Sequence, residues 1–108
     1  MDVVAIFVIV ERGKADHIVD EVKKAGALGA TIFYGRGTGE QEFLKFFNLK
    51  VESSKEIILV LTKSECKQTL IDAFVRAGRL KEPGTGILFT VPVGDLVGLH
   101  HREGMEQE

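Results

Sequence analysis

The chain has 108 residues, of which 44% are hydrophobic and 28% are charged, and its formal net charge is −2 at pH 7. This length leaves room for one domain of ordinary globular composition, and the slight negative charge excludes a protein that holds nucleic acid or anionic lipid mainly through its overall charge. A single cysteine excludes an intramolecular disulfide, and the first residues lack the pattern of a secretory signal, so we expect a cytoplasmic protein.

The first half of the chain predicts a strand, a helix and a second strand. Residues 3–10 form an unbroken apolar run, which is typical of a strand that is covered on both faces. In residues 14–25, apolar side chains recur at helical spacing, which predicts an amphipathic helix that ends before Gly26. Residues 29–34 are rich in β-branched and aromatic side chains and predict a strand that stops at a glycine cluster.

The second half begins with a strand and a helix of the same kind. Residues 55–61 repeat the apolar pattern and predict a second buried strand. Residues 62–65 are typical of a capping box, in which Thr62 and Glu65 would bind the first free amides of a helix. That helix is predicted to stop at Gly78.

The end of the chain predicts one more long strand over residues 87–93. Pro92 favours the edge of a sheet or the end of a strand, because proline donates no hydrogen bond to a neighbour. We also expect a short strand within residues 95–101 and a frayed tail at residues 102–108.

The predicted order of elements is that of a ferredoxin-like βαββαβ sandwich of the α+β class. This topology puts the first and third strands in the centre of an antiparallel sheet, with both helices on one face. In both of these strands, residues 3–10 and 55–61, the side chains of either face are apolar. Because large exposed apolar patches usually mark interfaces, we predict a closed homo-oligomer with its sheets facing inward.

The segment of residues 35–56 is longer than most loops in compact domains, and loops of this length usually have a function. It opens with a glycine-rich turn, residues 35–39, and a second such turn lies at residues 84–86. Successive amides in these turns can bind an anion, whereas the simpler interpretation is that the glycines supply positive φ angles. The apolar side chains of the segment indicate either a recognition element or local packing of the loop; they are Phe43, Leu44, Phe46, Phe47 and Leu49.

Candidate catalytic residues are few. His17 is predicted on the polar side of the first helix, and no serine has a base near it in sequence. His100 and His101 are adjacent, but a metal site needs further ligands that their neighbours do not supply. Cys66 is expected to act as a small buried hydrophobe. We therefore expect neither enzyme activity nor a metal site.

Two stretches of the sequence resemble the PII family of nitrogen-regulatory signal proteins. GATIFYGRGTG, residues 29–39, is similar to the boundary where the T-loop of that family begins. KEPGTGILF, residues 81–89, is similar to the B-loop pattern Gly-Asp-Gly-Lys-Ile-Phe. The resemblance extends from the first strand to about His101 and includes a short C-terminal strand.

The resemblance implies one PII-like domain over residues 1–108, with a T-loop-like segment at 35–56 and a B-loop-like segment at 79–86. It also implies a homotrimer with ligand clefts between the subunits, where the family binds ATP or ADP. The effector-binding residues that it indicates are Gly35, Arg36, Gly37, Thr38, Lys81, Gly84, Thr85, Gly86 and His100.

In this interpretation, residues 35–56 form a signalling loop. An effector such as ATP, ADP or AMP at the root of the loop sets its conformation, and the tip contacts a target protein, either an enzyme or a membrane transporter. The resemblance implies no nucleic-acid partner and no required cofactor.

The chain departs from the family at positions that bind phosphate. Thr85 and Ile87 stand where the B-loop pattern has Asp and Lys, and Gly98 and His100 stand where the C-terminal strand has arginines. Since charge-assisted contacts are roughly twice as strong as neutral ones, the chain is not expected to bind ATP with the affinity usual in the family. Arg36, Lys81 or the histidines are the cations that can compensate, for ADP, AMP or another small anion.

Two further classes stay open. One is a CutA-like or ACT-like oligomeric module that binds a metal or an amino acid, in which His100→Ala would abolish stabilisation by metal. The other is a small ferredoxin-like enzyme that shelters a substrate under the long segment. For the PII-like interpretation, valine at Gly37 or Gly86 is expected to abolish effector binding and to leave the assembly intact.

Overall fold

A computed structural model describes residues 2–36 and 54–98, which form one sheet with two helices packed on it. The elements are β1 (Val3–Glu11), α1 (Ala15–Lys24), β2 (Thr31–Arg36), β3 (Ser54–Lys63), a 3-10 turn (Ser64–Cys66), α2 (Lys67–Gly78) and β4 (Gly86–Val93). All strand pairs are antiparallel, in the order β2-β3-β1-β4. The ferredoxin-like order, with β1 and β3 in the centre, is therefore confirmed.

The core lies between the sheet and the two helices. Alternate side chains of β1 and β3 point toward the helices, because the side chains of a strand alternate between its faces. They pack against the apolar stripes of both helices, and Phe74 of α2 is fully buried among them. The buried cluster consists of Ile6, Val8, Val10, Ala15, Ile18, Val19, Val22, Ile58, Val60, Leu70, Ala73 and Phe74. This burial stabilises the helices more than their intrinsic propensity does, since both are too short to be stable alone.

The opposite face of the sheet carries apolar side chains from all four strands, and the prediction of this face for β1 and β3 is confirmed. Phe7 of β1 lies opposite Leu59 of β3 and Phe89 of β4, and the rings of Phe7 and Phe89 stack with their centroids 5.1 Å apart. Of the large hydrophobic side chains described on this face, Phe33, Phe89 and Val91 are exposed. We call this surface the apolar face; its residues are Ala5, Phe7, Ile9, Phe33, Ile57, Leu59, Leu61, Ile87, Phe89 and Val91.

Both helices end where the glycines predict. Gly26 follows α1 with a φ of 117°, and its amide donates to the carbonyl of Lys23. This is the left-handed conformation that glycine adopts without strain after a helix. α2 includes Gly78 as its last residue, and Arg79 then takes the left-handed conformation with a φ of 54°.

The predicted capping box is wrong. Thr62 stays in β3, where it pairs with Val4, and its hydroxyl donates to the carbonyl of Lys63. α2 begins only at Lys67, after the 3-10 turn, and it has no side-chain hydrogen bond at its N-cap. Pairing and burial in the ladder hold Thr62 extended, and this outweighs a local cap worth about 1 kcal/mol. Cys66, predicted to be buried, is exposed in the turn.

A buried carboxylate from β3 caps α1. The amide of Ala15 donates to Oε1 of Glu56 at 2.8 Å, although the two residues are 41 positions apart. Glu56 is only 7% exposed. A carboxylate is favourable here because the first amides of a helix have no partner within it and the helix dipole is positive at this end.

We expect Glu56→Ala to lower the free energy of unfolding by about 2 kcal/mol, because a buried amide loses its acceptor. Glu56→Gln keeps an acceptor oxygen and should recover much of the loss. Urea unfolding followed by circular dichroism measures both variants, with Glu65→Ala, an exposed glutamate of the 3-10 turn, as the control. Equal unfolding midpoints for Glu56→Ala and Glu65→Ala would contradict the capping role.

β4 lies at the edge of the sheet, in agreement with the prediction from Pro92. After β4, residues 95–98 are not in a strand, and the rest of the predicted short strand, residues 99–101, lies outside the described residues, as does the predicted tail at 102–108. Neither helix in the described part of the chain is long and apolar enough to cross a membrane.

Candidate functional site

Four strand ends meet at one end of the sheet. β1 and β2 finish there, and β3 and β4 start there, because antiparallel neighbours run in opposite directions. In the register, Glu11 lies opposite Lys55, and Lys55 lies opposite Gly35. On the other side of β1, Val10 lies opposite Gly86. The root of the long segment and the second glycine-rich loop therefore leave the sheet at the same end, which we call the loop end.

At the loop end, the two glycine-rich segments lie on opposite edges of the sheet. The long segment leaves from β2, and the loop of residues 79–85 enters β4. Because neighbouring strands are about 4.8 Å apart, the two edges are separated by about 14 Å. One subunit thus presents two partial sites, each at an edge that a neighbouring copy can approach.

The first partial site is a cavity of about 270 Å³ at the root of the long segment, which we call the loop-root cavity. Three of its described lining residues, Arg12, Arg36 and Lys55, are basic, and none is acidic. Such a one-sided set of charges attracts anions and disfavours cations. The remaining lining residues are Tyr34, Gly35 and Ser54.

The backbone at this root differs from the prediction. The sequence predicts a strand that stops at Tyr34 and a glycine turn from Gly35, but β2 continues through Arg36, which pairs with Ser54. The ladder with β3 extends the strand by two residues, so Gly35 lies within a strand and not in a turn. A Cβ at Gly35 would lie 2.9 Å from Cδ1 of Ile57, so a larger residue there would need the end of that side chain to shift. Gly37 and Thr38 lie outside the described residues.

The second partial site is built on the loop of residues 79–85. Arg79 and Glu82 form an ion pair at 3.0 Å, and the amide of Glu82 donates to the carbonyl of Arg79. The hydroxyl of Thr85 lies 2.9 Å from the carbonyl oxygen of Arg79 and 3.0 Å from that of Glu82. Since a hydroxyl has one proton to donate, this contact uses it within the loop. Thr85 therefore closes the loop. A ligand could form hydrogen bonds only with its backbone or with the lone pairs of its hydroxyl oxygen.

This loop borders a cavity of about 390 Å³ on the helix side of the sheet, which we call the loop–helix cavity. Gly84 and Thr85 line it, together with the turn between β1 and α1. Its other lining residues are Glu11, Gly13, Lys14, His17, Ile18, Ala77, Gly78, Arg79 and Glu82. The lining contains both acids and bases, unlike that of the loop-root cavity.

The other predicted site residues lie elsewhere. Lys81 is exposed and lines neither cavity. Gly86 is the first residue of β4, and a Cβ there would lie 2.6 Å from the carbonyl oxygen of Ile9, so its role is to let β4 approach β1. His100 lies outside the described residues.

Sequence reasoning missed Arg12 and Lys55 as site residues. Arg12 follows β1, and Lys55 lies at the start of β3, more than forty positions later. Each was interpreted as the polar end of a strand, and only the antiparallel register brings them together. Once the topology had been assigned, the basic residues at the loop ends of β1 and β3 could have indicated the site.

The described residues contain no group of three or more His, Cys, Asp or Glu side chains that could hold a metal ion. This part of the chain therefore supplies no observation in favour of a metal-binding module, and the histidine pair at residues 100–101 lies outside it.

Comparison with known proteins agrees with this geometry. The family described as Nitrogen regulatory protein P-II matches residues 3–103. Among solved structures, the crystal structure of Arabidopsis thaliana PII bound to citrate is similar, with a TM-score of 0.71 and 22% sequence identity, over 94% of this chain and 87% of that chain. At this identity the structural likeness shows the fold alone. A search of the curated proteins finds no match.

Proposed function

Because the chain belongs to the PII family of nitrogen regulatory proteins, we propose that it is a trimeric signal-transduction protein that binds a small anionic effector and regulates a target protein. PII proteins are regulators and not catalysts. The observation that carries the proposal is the loop-root cavity, a cationic site at the root of the segment that resembles the signalling loop. An effector bound there would set the conformation of that segment and so control contact with an enzyme or a transporter.

The apolar face supports assembly as a trimer, the form in which this family occurs. Burial of apolar surface contributes roughly 25 cal/mol per Å², and this face has apolar side chains on every strand. When three such faces meet at a common axis, the loop ends lie at the boundaries between subunits. A neighbouring copy then completes the two partial sites.

The chemistry of the loop-root cavity favours an adenine nucleotide as the effector. Arg12 and Arg36 are suited to phosphate groups, because guanidinium groups can bind phosphate through two parallel hydrogen bonds, and the nearly buried Lys55 adds positive charge to the lining. Tyr34 lines the same cavity and is 71% exposed, so its ring is available for stacking on a base. A tricarboxylate such as citrate, which the Arabidopsis structure contains, offers the charges without the base.

We expect Arg36→Ala and Arg12→Ala each to weaken the binding of ATP, ADP or AMP by about tenfold or more, since a hydrogen bond to a charged group contributes about 1.5–3 kcal/mol. Isothermal titration calorimetry measures this. Lys63→Ala, at the far end of β3, is the matched control and should bind like the unaltered chain. Tyr34→Ala should weaken the binding of nucleotides and leave the binding of citrate unchanged.

Two results would contradict the proposed effector site. One is the absence of binding by all four compounds at millimolar concentration, with no rise in the unfolding temperature. The other is an equal loss of affinity in Arg36→Ala and Lys63→Ala, which would show that the cavity is not where the effector binds.

A further inference from the structure

We propose that the loop end of the sheet binds an anionic lipid surface. The formal net charge of the chain is −2, but the exposed side chains at the loop end are mostly cationic. Six exposed cations lie in the connections there or within three residues of a strand or helix end, against two exposed acids, Asp16 and Glu82. We call these cations the basic patch; they are Arg12, Lys14, Arg36, Arg76, Arg79 and Lys81.

The other charges of the chain do not cancel this excess. At the loop end, Glu56 is buried as the cap of α1, Glu11 is half-buried, and the buried Lys55 offsets one of them. Away from the loop end, the described residues contain four cations and six acids. Residues 37–53, which join β2 to β3 at the loop end, contain three acids and two lysines, so they change the balance little. The positive charge is therefore concentrated at one end of the subunit.

Most cations of the basic patch are available to a partner. Within the described part of the chain, only Arg79 forms an ion pair, and its partner is Glu82. The other five have no hydrogen-bonded or ionic partner there. Because opposite charges do not neutralise them locally, these side chains can contact an external anionic surface.

The layout of the basic patch favours a lipid surface over a single fixed anion. Arg36 ends β2 at one edge of the sheet, and Lys81 lies in the loop that enters β4 at the other edge, about 14 Å away by strand spacing. Arg76 lies on α2, in the helix layer. Mobile headgroups can collect beneath scattered cations, whereas a protein partner would need acids at matching positions. Clusters of about four to eight lysines and arginines are typical of segments that bind anionic lipids.

Assembly multiplies the attraction, and this step rests on the trimer of the proposed function. Rotation about one axis puts the three loop ends at the same height along it, so that they can meet one flat surface together. Each lysine or arginine near an anionic leaflet raises the affinity by about fivefold. Three linked patches bind more tightly than one, since the second and third contacts form within the same complex.

Sedimentation of the full chain with lipid vesicles tests the proposal. We expect binding to vesicles of equal parts phosphatidylglycerol and phosphatidylcholine, and none to phosphatidylcholine alone. About 1 M sodium chloride should release the chain, because the screening length then falls to about 3 Å. Failure to sediment with the anionic vesicles at low salt would overturn the proposal, as would equal binding to both kinds of vesicle. Binding to poly-L-glutamate but not to anionic vesicles would also overturn it, in favour of an acidic protein partner.

Variants place the lipid-binding surface. The double variant Lys14→Gln with Arg76→Gln removes two cations of the basic patch and should bind anionic vesicles at least about tenfold more weakly. Lys23→Gln with Lys63→Gln removes the same charge at the opposite end of the subunit and is the matched control. Equal losses in the two double variants would refute the assignment to the loop end.

Titration with ATP separates this surface from the proposed effector site. Neither Lys14 nor Arg76 lines the loop-root cavity, so their replacement should leave ATP binding unchanged. A chain that binds ATP but does not bind anionic vesicles would refute lipid binding alone. Vesicle binding by a chain that binds no effector would support lipid binding and contradict the effector site.

Discussion

Phe89→Glu is expected to convert the trimer into single folded chains. Phe89 lies on the apolar face and is 44% exposed in one subunit, so glutamate fits the isolated fold. In a trimer built on this face, each copy would bury a carboxylate without a partner, which costs several kcal/mol per site. Light scattering coupled to size-exclusion chromatography measures the change in mass.

Phe89→Leu is the matched control for this experiment. Leucine loses the stacking on Phe7 but keeps the surface apolar, so the trimer should persist. Circular dichroism of Phe89→Glu checks that the subunit stays folded. If the unaltered chain runs as a monomer, or if Phe89→Glu remains a trimer, the apolar face is not the assembly surface.

Gly86→Val is expected to destabilise the subunit itself, by about 3–5 kcal/mol, because backbone strain at a positive φ and a steric clash act together. Gly86 has a φ of 154°, and a Cβ there would lie 2.6 Å from the carbonyl oxygen of Ile9 and 2.9 Å from Cγ1 of Val10. A backbone oxygen in a central strand cannot move aside without disturbing the pairing of β1 and β4. Thermal and urea unfolding measure the loss.

Gly94→Val is the control for Gly86→Val. Gly94 follows the other end of β4, and a Cβ there meets nothing within 4 Å. We expect its stability to stay within about 0.5 kcal/mol of the unaltered chain. The close contacts at Gly86 thus predict that Gly86→Val weakens the fold itself, which differs from the expectation that it spares the assembly. The same expectation for Gly37 stays a prediction, because Gly37 lies outside the described residues.

The fold was predictable because its signals are local and repeated. The apolar runs that became β1 and β3, the helical spacing before Gly26 and the proline of β4 each indicate one element, and their order admits few topologies. Errors arose where a local motif competed with a long-range contact. Thr62 has the pattern of a helix cap, but pairing with Val4 keeps it in a strand.

The candidate site was less predictable, because it too depends on long-range contacts. The glycines of both loops are visible in the sequence, and the resemblance to the PII family points to them. The residues that give the cavities their charge are not visible in this way. Arg12 and Lys55 line one cavity only because the register of β1 and β3 puts Glu11 opposite Lys55, and Lys14 and Glu82 line another only because α2 returns the chain to the loop end.

By itself, the sequence determined the order of the main helices and strands, their arrangement in the sheet and the presence of a second apolar face, because alternation of side chains and the apolar content of β1 and β3 follow from composition and spacing alone. Only the tertiary structure decided that Glu56 caps α1, that Thr85 closes its own loop and that one cavity is lined by bases without acids whereas the other is lined by both. Each of these is a hydrogen bond or an arrangement of charges, and it depends on distances of a few ångströms. The residues involved are remote in the chain, or they come together only when a loop folds back.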